Sequence, residues 1–421
     1  MIQKMAKICL NMIVTDEDHI MESSLNKIGY FVDAIVIDFN GKGKRTPEII
    51  KEYATKHNIP YSVRQTVWKD HFGNSRTDAI RAGEKFLSEL EKSDEFLDGS
   101  KRPEGPLTAE EWKKIKPTNT WYLMTHDADN ELRPNGLRVS DDFPDNQRFQ
   151  IDKTKLEGDG IMIDMTQDGS SRYSYRWMTK VDFTGRRKWK WYEPLHEYLK
   201  PEGNWSEKFQ KIEGAYMISG RTGARSSDPV KYLKDAVVFE RYIKTDEGRN
   251  NRRAFFYRAQ SYRDAQKPRE AYDCYCECAS YTDGFVEERY MALVNAGKLA
   301  QQLFKDQTKS LDHFHMAHEL RSSRLEATFV LIELYKSKGH FRSGWNLGKP
   351  YIENEYPKDD VLFVDQAIHY YRFYVALGDC AYMIGLKEEA RKLYEKGLKY
   401  EYIKAEDRAA IVEKLNPERY K

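Results

Sequence analysis

The chain has few cysteines, and none of them stands in the spacing that zinc sites use. Five occur in 421 residues, namely Cys9, Cys274, Cys276, Cys278 and Cys380. Three of these alternate in a segment predicted to be helical, where positions two apart do not share a face, and no CxxC pair is present. The cysteines are therefore predicted to be free thiols in a reducing compartment, and the expected location is cytoplasmic.

The chain also has no large excess of either charge sign and no long apolar run. The chain has 69 Lys and Arg against 67 Asp and Glu, which leaves a net charge of +2. That balance argues against a dedicated nucleic-acid binder. No stretch approaches the roughly 20 apolar residues of a membrane span, and the apolar residues 8–14 are too few for a signal peptide. We therefore expect a folded protein of two or three domains without a membrane span.

Residues 1–90 alternate between strand and helix patterns. The predicted strands are residues 7–14, 31–38 and 61–67, and the predicted helices are residues 17–28, 46–56 and 74–90. Strands separated by helices of this length form right-handed βαβ units, so a mainly parallel sheet is predicted. The charged, Gly- and Pro-containing residues 93–117 interrupt the pattern and are predicted to be a surface insertion.

The most informative motif is Asp127-Ala128-Asp129, which directly follows the apolar residues 121–124. Two carboxylates at i and i+2 supply the oxygen ligands that hard divalent cations prefer, and such a cation can bridge to diphosphate oxygens. A pair of this kind also arises by chance in a chain rich in carboxylates, as at Asp16 and Asp18. A solvated turn is the alternative, but the position after a strand favours a site.

The C-terminal part of the chain is predicted to be helical, with a rough repeat. Aromatic and Ala-containing helical segments at 256–262, 328–335 and 369–377 each lead through a short Gly or Pro turn to a second segment. This layout resembles tetratricopeptide units, and an irregular helical bundle is the alternative. The predicted division is a first domain at 1–225, a linker at 226–250 and a tetratricopeptide-like domain at 251–421.

Five motifs in order resemble those of an inverting family 2 glycosyltransferase of GT-A fold. They are ICLNMIV, VDAIVIDFNGKGKRTPEIIKEYA, WKDHFGNSRTDAI, WYLMTHDADNEL and YEPLHEYL. The bacteriocin S-glycosyltransferases of that family share the layout with a tetratricopeptide tail. The resemblance therefore implies an α/β GT-A (nucleotide-diphospho-sugar transferase) domain followed by an all-α repeat domain.

The resemblance also implies roles for individual residues. The implied nucleotide-sugar-binding residues are Val14, Glu17, Asp38, Arg76, Asp127 and Arg176. The implied metal ligands are Asp127, Asp129, Glu131 and His196. Glu197 is the implied general base, which would take the proton of the acceptor as it attacks the sugar. For His196, a phosphate contact or a packed histidine is the alternative.

The expected function is therefore metal-dependent transfer of a sugar, with inversion, from a nucleotide-diphosphate sugar. A UDP-hexose is the expected donor and Mn²⁺ or Mg²⁺ the expected cofactor. The acceptor is left open between glycan, lipid and polypeptide, with modified nucleic acid as a further option, and so is a homo-oligomer formed through the helical tail. The alternative is a non-catalytic protein-binding scaffold with a decayed sheet domain and a helical-repeat interaction tail.

One further segment, residues 186–192, is basic and aromatic, with the sequence RRKWKWY. Aromatic faces stack on sugars or bases, and cations bind phosphates. The segment is thus predicted either to line an acceptor groove or to form a solvated, half-buried hairpin.

Overall fold

The structure, a computed structural model, divides the chain into two compact units. It describes residues 5–92, 119–137, 148–167, 171–220, 222–223, 228–304, 307–401, 403–416 and 418. The first unit comprises residues 1–169 and 174–231, and the second comprises 170–173 and 232–421. We call them the sheet unit and the helical unit. The expected insertion at 93–117 lies outside the described residues.

The sheet unit is built on a mixed sheet in the order β3-β2-β1-β4-β7-β6-β10-β5. Its strands are β1 (Lys7–Val14), β2 (Ala34–Phe39), β3 (Tyr61–Gln65), β4 (Trp121–Thr125), β5 (Glu131–Pro134), β6 (Gly160–Thr166), β7 (Ser171–Lys180) and β10 (Phe209–Ile218). All six residues of β2 are buried. A strand covered on both faces is largely apolar, which is why five of its six residues are apolar and do not alternate with polar ones, Asp38 being the exception.

Three helices belong to the N-terminal part of the sheet unit: α1 (Met21–Ile28), α2 (Arg45–Lys56) and α3 (Phe72–Glu91). They alternate with β1, β2 and β3, as the sequence pattern predicts. These three strands and β4 pair in parallel. The remainder of the sheet departs from the mainly parallel prediction, because β7 runs antiparallel to β4 and β5 antiparallel to β10.

A separate two-stranded hairpin joins β8 (Lys188–Tyr192) to β9 (Tyr198–Glu202). Its apolar face carries Trp189, Trp191 and Leu199, which are buried in a core shared with β1, β4 and α3. The polar face carries the alternate residues, and this period of two is the pattern of a half-buried strand. The structure therefore shows a half-buried hairpin at residues 188–202. This is the second of the two predictions made for residues 186–192.

The helical unit contains ten described helices joined mostly by short loops. They are α4 (Lys231–Tyr242), α5 (Arg252–Asp264), α6 (Pro268–Ser280), α7 (Val286–Leu303), α8 (Thr308–Leu320), α9 (Leu325–Ser337), α10 (Phe341–Gly348), α11 (Phe373–Met383), α12 (Lys387–Leu398) and α13 (Ala405–Lys414). From α5 onward each helix packs on the next. In addition α5 contacts α7 and α9 contacts α11. This succession of helical hairpins is the geometry of a repeat protein.

Two irregular segments interrupt the series of helices. The short strand β11 (Val364–Asp365) pairs antiparallel with residues 171–172, which belong to the helical unit. A π-helical turn, Ile368–Arg372, then leads directly into α11. The helix α4 lies inside residues 226–250, the stretch predicted to be a linker.

Candidate functional site

The two carboxylates of the Asp127-Ala128-Asp129 motif follow the end of β4, next to β1 in the sheet. The side chain of Asp127 is 39% exposed. That of Asp129 is half-buried, and its Oδ2 accepts a hydrogen bond of 3.0 Å from the backbone N–H of Gly223. The motif therefore lies at the carboxyl edge of the sheet, and Asp129 is engaged there by a backbone amide.

Arg76 joins two of the predicted site residues. Its Nε donates to Glu197 Oε1 at 2.5 Å and its Nη2 donates to Asp127 Oδ1 at 2.7 Å. The guanidinium also lies 5.5 Å from the ring centroid of Trp191. Burial alone would lower the pKa of Arg76, but Asp127 and Glu197 outweigh it and raise that pKa well above its usual value. A buried cation with two carboxylate partners is the electrostatic centre of this site.

Asp38 is engaged in the same way by Arg64. The two residues are register partners on β2 and β3, and Arg64 donates to both carboxylate oxygens, at 2.8 and 2.6 Å. Burial raises the pKa of Asp38, and the guanidinium opposes that rise. No sequence motif points to Arg64. Arg64 lies in a predicted strand that neighbours the strand of Asp38. Residues in register on parallel neighbouring strands share a face of the sheet, so the sequence could have indicated this pair.

Val14 and Glu17 lie at the carboxyl end of β1. The buried Val14 accepts a hydrogen bond of 2.9 Å at its carbonyl from the N–H of Asn40. The N–H of Glu17 donates to Thr46 Oγ1 at 2.9 Å. Val14 therefore links the ends of β1 and β2, and Glu17 links the loop after β1 to α2, close to Asp129 and Gly223.

The other predicted residues are not gathered around Asp127. Glu131 binds Lys27 at 2.9 Å and Arg133 at 2.5 Å, and these cations outweigh burial and lower its pKa. Arg176 donates to the carbonyl of Leu199 and lies 4.4 Å from the ring centroid of Phe209. Burial lowers its pKa. His196 is exposed and has a left-handed backbone with φ of +52°, an uncommon conformation outside glycine.

His126 is a fully buried residue of this edge to which no sequence motif points. It directly precedes Asp127 and has no exposed surface. Burial disfavours the imidazolium and lowers the pKa of His126 to about 4, with Arg76 acting in the same direction and Asp127 opposing. The imidazole is therefore neutral at physiological pH.

The described residues form no cluster of three or more His, Cys, Asp or Glu side chains that could hold a metal ion. The residues expected to bind a cation, Asp127, Asp129 and Glu131, instead contact an arginine, a backbone amide and two cations respectively. The expected metal-binding character thus finds no support in the geometry. The choice of Mn²⁺ or Mg²⁺ as cofactor stays a prediction.

Among the described residues, a cavity is found in each unit. In the sheet unit a cavity of about 490 Å³ lies over the carboxyl ends of β1, β2 and β3, and Asp38 and Arg64 line it while Asp127 and Glu197 do not. In the helical unit a cavity of about 400 Å³ lies between the end of α5, the start of α6 and α7. Its lining residues are Arg263, Gln266, Pro268, Asn295, Lys298, Leu299 and Gln302.

No protein-family model and no curated protein matches the sequence. Solved structures similar to part of the chain include MamA, at 18% identity over 40% of this chain and 88% of that one, with a TM-score of 0.31. Another is TTC0263, a thermophilic TPR protein of Thermus thermophilus, at 17% identity over 44% and 91% with a TM-score of 0.31. A third is YrrB, a TPR protein with an unusual peptide-binding site, at 14% identity over 44% and 82% with a TM-score of 0.31. At these TM-scores the likeness carries no argument about function.

These comparisons correct the interpretation as a family 2 glycosyltransferase of GT-A fold. The three similar structures are tetratricopeptide-repeat proteins, and none of the three is a glycosyltransferase. The assignment as a UDP- and metal-dependent enzyme is therefore wrong, and only the tetratricopeptide-like interpretation of the tail keeps support. In the sheet unit, the carboxylates needed for a metal and a base bind groups of the chain itself.

None of the described helices is both long enough and apolar enough to span a membrane. The roles expected for individual site residues, the domain boundaries and the cytoplasmic location stay predictions.

Proposed function

We propose that the chain is a protein-binding scaffold whose helical unit holds a polypeptide segment at the cavity between α5 and α7. The observation that carries the proposal is the cavity itself, which opens between alternate helices of a hairpin repeat. Alternate helices line one face of such a repeat, and that face is the extended binding surface of helical-repeat proteins. The bound segment would add the contacts that the unfilled cavity lacks.

The chemistry of the cavity favours an acidic segment. Its polar lining consists of two cations, Arg263 and Lys298, and three amides, and none of the described lining residues carries a carboxylate. Arg263 is already paired with Asp264 at 2.8 Å. Lys298 is exposed to solvent, yet desolvation lowers its pKa, with Arg263 acting in the same direction and Asp365 and Glu326 opposing the shift. A carboxylate of the ligand would stabilise this ammonium, and the amides would bind its backbone.

The geometry of the sheet unit supports the scaffold over an active site. Arg76 holds Asp127 and Glu197, and Arg64 holds Asp38, with all of these bonds at 2.8 Å or less. Removing one partner of such a pair leaves a buried charge without compensation, so pairs of this kind act in maintaining the fold. We therefore assign these arginine–carboxylate pairs a structural part in the scaffold.

The experiment is a binding titration with labelled short peptides of three compositions: Glu/Ser, Gln/Ser and Lys/Ser. Fluorescence anisotropy should show that the Glu/Ser peptide binds the full chain and that the Lys/Ser peptide does not. Lys298→Glu places a carboxylate in the cavity and should weaken that binding at least about tenfold, which corresponds to about 1.4 kcal/mol.

Lys338→Glu is the matched control, because it makes the same charge change at an exposed position at the end of α9. It should leave the affinity within about twofold of wild type, since exposed charges outside an interface contribute little. If none of the three peptides binds, or if both variants weaken binding equally, the cavity is not the binding site.

A further inference from the structure

The polar face of the β8–β9 hairpin combines cations and aromatic rings in one register. Its three cross-strand pairs are Lys188 with Glu202, Lys190 with Lys200, and Tyr192 with Tyr198. The opposite face of the hairpin is buried, so this polar face is the one that meets solvent. We call these six residues the lysine–tyrosine face.

The central pair of this face places two like charges directly opposite each other. In a sheet, like charges at paired positions destabilise the strands. Within the described residues, neither Lys190 nor Lys200 forms an ion pair, and each ammonium instead lies 4.9 Å from the centroid of the neighbouring tyrosine ring. The arrangement therefore carries an electrostatic cost that a bound anion would relieve.

The tyrosine pair adds a flat aromatic element beside those charges. The rings of Tyr192 and Tyr198 stack with centroids 5.6 Å apart and planes 17° from parallel, and both side chains are half-buried. The strands that carry these rings are held in place because Trp191 and Leu199, on the opposite face of the same strands, are buried in the core. A rigid pair of aromatic rings next to two lysines that form no ion pair with the described residues suits a ligand that alternates planar groups with negative charges.

The acidic residue of the face is already engaged. Glu202 accepts a hydrogen bond of 2.6 Å from Arg81 Nη2, and Arg81 also binds Glu84. Arg186, two residues before the start of β8, is also exposed. The face therefore presents an excess of positive charge although the whole chain has a net charge of only +2.

We propose that the lysine–tyrosine face binds single-stranded nucleic acid, with its lysines on phosphates and its tyrosines stacked on bases. Single-strand binding surfaces combine a cationic track with aromatic platforms, and they tolerate different sequences because every base has a flat face. An acidic polypeptide would satisfy the lysines but offers nothing for the paired rings, so charge and shape together favour the nucleic acid. This inference concerns the sheet unit and is independent of the peptide site proposed for the helical unit.

The test uses the full chain and a short, fluorescently labelled oligodeoxythymidylate in an anisotropy titration. Lys190→Glu should weaken binding at least about tenfold. The variant should still fold, because the new carboxylate would face Lys200 and replace a like-charge pair by an opposite-charge pair. A melting temperature equal to or above that of wild type checks this expectation.

Lys51→Glu is the matched control, since it makes the same charge change at an exposed position on α2 of the same unit. It should leave the affinity within about twofold of wild type. Between about 50 mM and 200 mM salt, the slope of log K against log salt should be shallower for Lys190→Glu by about 0.7, the value for one phosphate contact on a single strand.

Tyr192→Leu separates stacking from charge. It should weaken binding about five- to a hundred-fold, the usual weight of one stacked base, without changing the salt slope. Tyr192→Phe keeps the ring and should restore the affinity. The proposal is overturned if polyglutamate competes as well as unlabelled oligonucleotide, if Lys51→Glu weakens binding as much as Lys190→Glu, or if wild type does not bind the oligonucleotide.

Discussion

At the scale of single residues, Arg76 brings together groups that are far apart in the sequence. Asp127 lies 51 positions away and Glu197 lies 121 positions away, yet both accept hydrogen bonds from the same guanidinium. The sequence motifs single out all three residues, and their expected roles stay predictions. They did not show that the two carboxylates share one cation, because that pairing depends on how α3 packs against the end of β4 and the turn after β8.

His126 provides a pH-dependent prediction. Its folded pKa is lowered from 6.5 to about 4, chiefly by burial. The unfolded chain therefore binds more protons between those two values, so the free energy of unfolding should fall as the pH drops from about 6.5 to about 4. The difference amounts to about 3 kcal/mol when complete. Urea unfolding of wild type and His126→Gln, measured at several values from about pH 7.5 to about pH 4.5, checks this.

The variant should lose stability less steeply than wild type over that interval, whatever its stability at neutral pH. Asp127 and Arg76, the charged groups facing His126, are present in both proteins and cancel in the comparison. His57→Gln, which removes an exposed imidazole from the same unit, should reproduce the wild-type slope. Equal slopes for wild type and His126→Gln would contradict the assignment.

At the scale of helices and strands, glycine determines how closely α11 and α12 pack. A Cβ added at Gly378 of α11 would lie 2.7 Å from Cε1 of Tyr394 on α12. Tyr394 is almost fully buried, and its hydroxyl donates to Asp379 Oδ1 at 2.8 Å, so the ring has little freedom to move. Gly378→Ala should therefore destabilise the helical unit by about 1–3 kcal/mol, as overpacked cores do. Chemical unfolding followed by circular dichroism measures this.

Gly397→Ala on α12 is the comparison that separates crowding from helix propensity. The nearest atoms to a Cβ at that position, those of Tyr371, are 3.5 Å or more away, which is ordinary contact. Alanine is a better helix former than glycine by up to about 1 kcal/mol, so this variant should be neutral or more stable. If the two substitutions have the same effect, the close approach of α11 and α12 is not what Gly378 provides.

The parts of the fold that depend on local pattern were predictable, and those that depend on distant pairing were not. Apolar runs and turn residues identified β1, β2, β3 and the helices between them, because each is specified within a few residues. The antiparallel pairing of β7 with β4 could not be predicted, because the sequence pattern of a strand does not indicate which strand it pairs with. Helix α4 was missed because its buried positions are few and a polar stretch precedes it.

The same distinction explains the error about function. Short motifs such as Asp127-Ala128-Asp129 are local, and five of them in order resembled a glycosyltransferase. Whether carboxylates are available to a ligand depends on their partners, and here Arg64, Arg76 and Lys27 reach them from other elements. The basic-aromatic segment was also visible, but which of its residues meet solvent follows from the register of the hairpin.

At the scale of the whole molecule, each unit has apolar clusters of its own, so each is expected to fold by itself. Apolar residues of β1, β4, α3 and the hairpin form one cluster in the sheet unit. Three other clusters are made entirely by residues of the helical unit. The proposed ligands are likewise separate, with the peptide assigned to the helical unit and the oligonucleotide to the sheet unit. A fragment containing one unit should therefore keep one binding activity and lose the other.

A fragment of residues 228–421 tests this division. It lacks residues 170–173, so β11 loses its partner strand and the buried Val364 becomes more exposed. We expect it to fold with a helical circular-dichroism spectrum. Its free energy of unfolding should be lower by about 1–2 kcal/mol than that of a fragment in which the missing strand is supplied as a linked segment.

The affinity of this fragment for the Glu/Ser peptide should match that of the full chain within about twofold, and Lys298→Glu should weaken it as before. The fragment should show no binding of the oligonucleotide, because the lysine–tyrosine face is absent. A folded fragment that fails to bind the peptide would show that the sheet unit completes the peptide site, whereas oligonucleotide binding by the fragment would place that activity in the wrong unit.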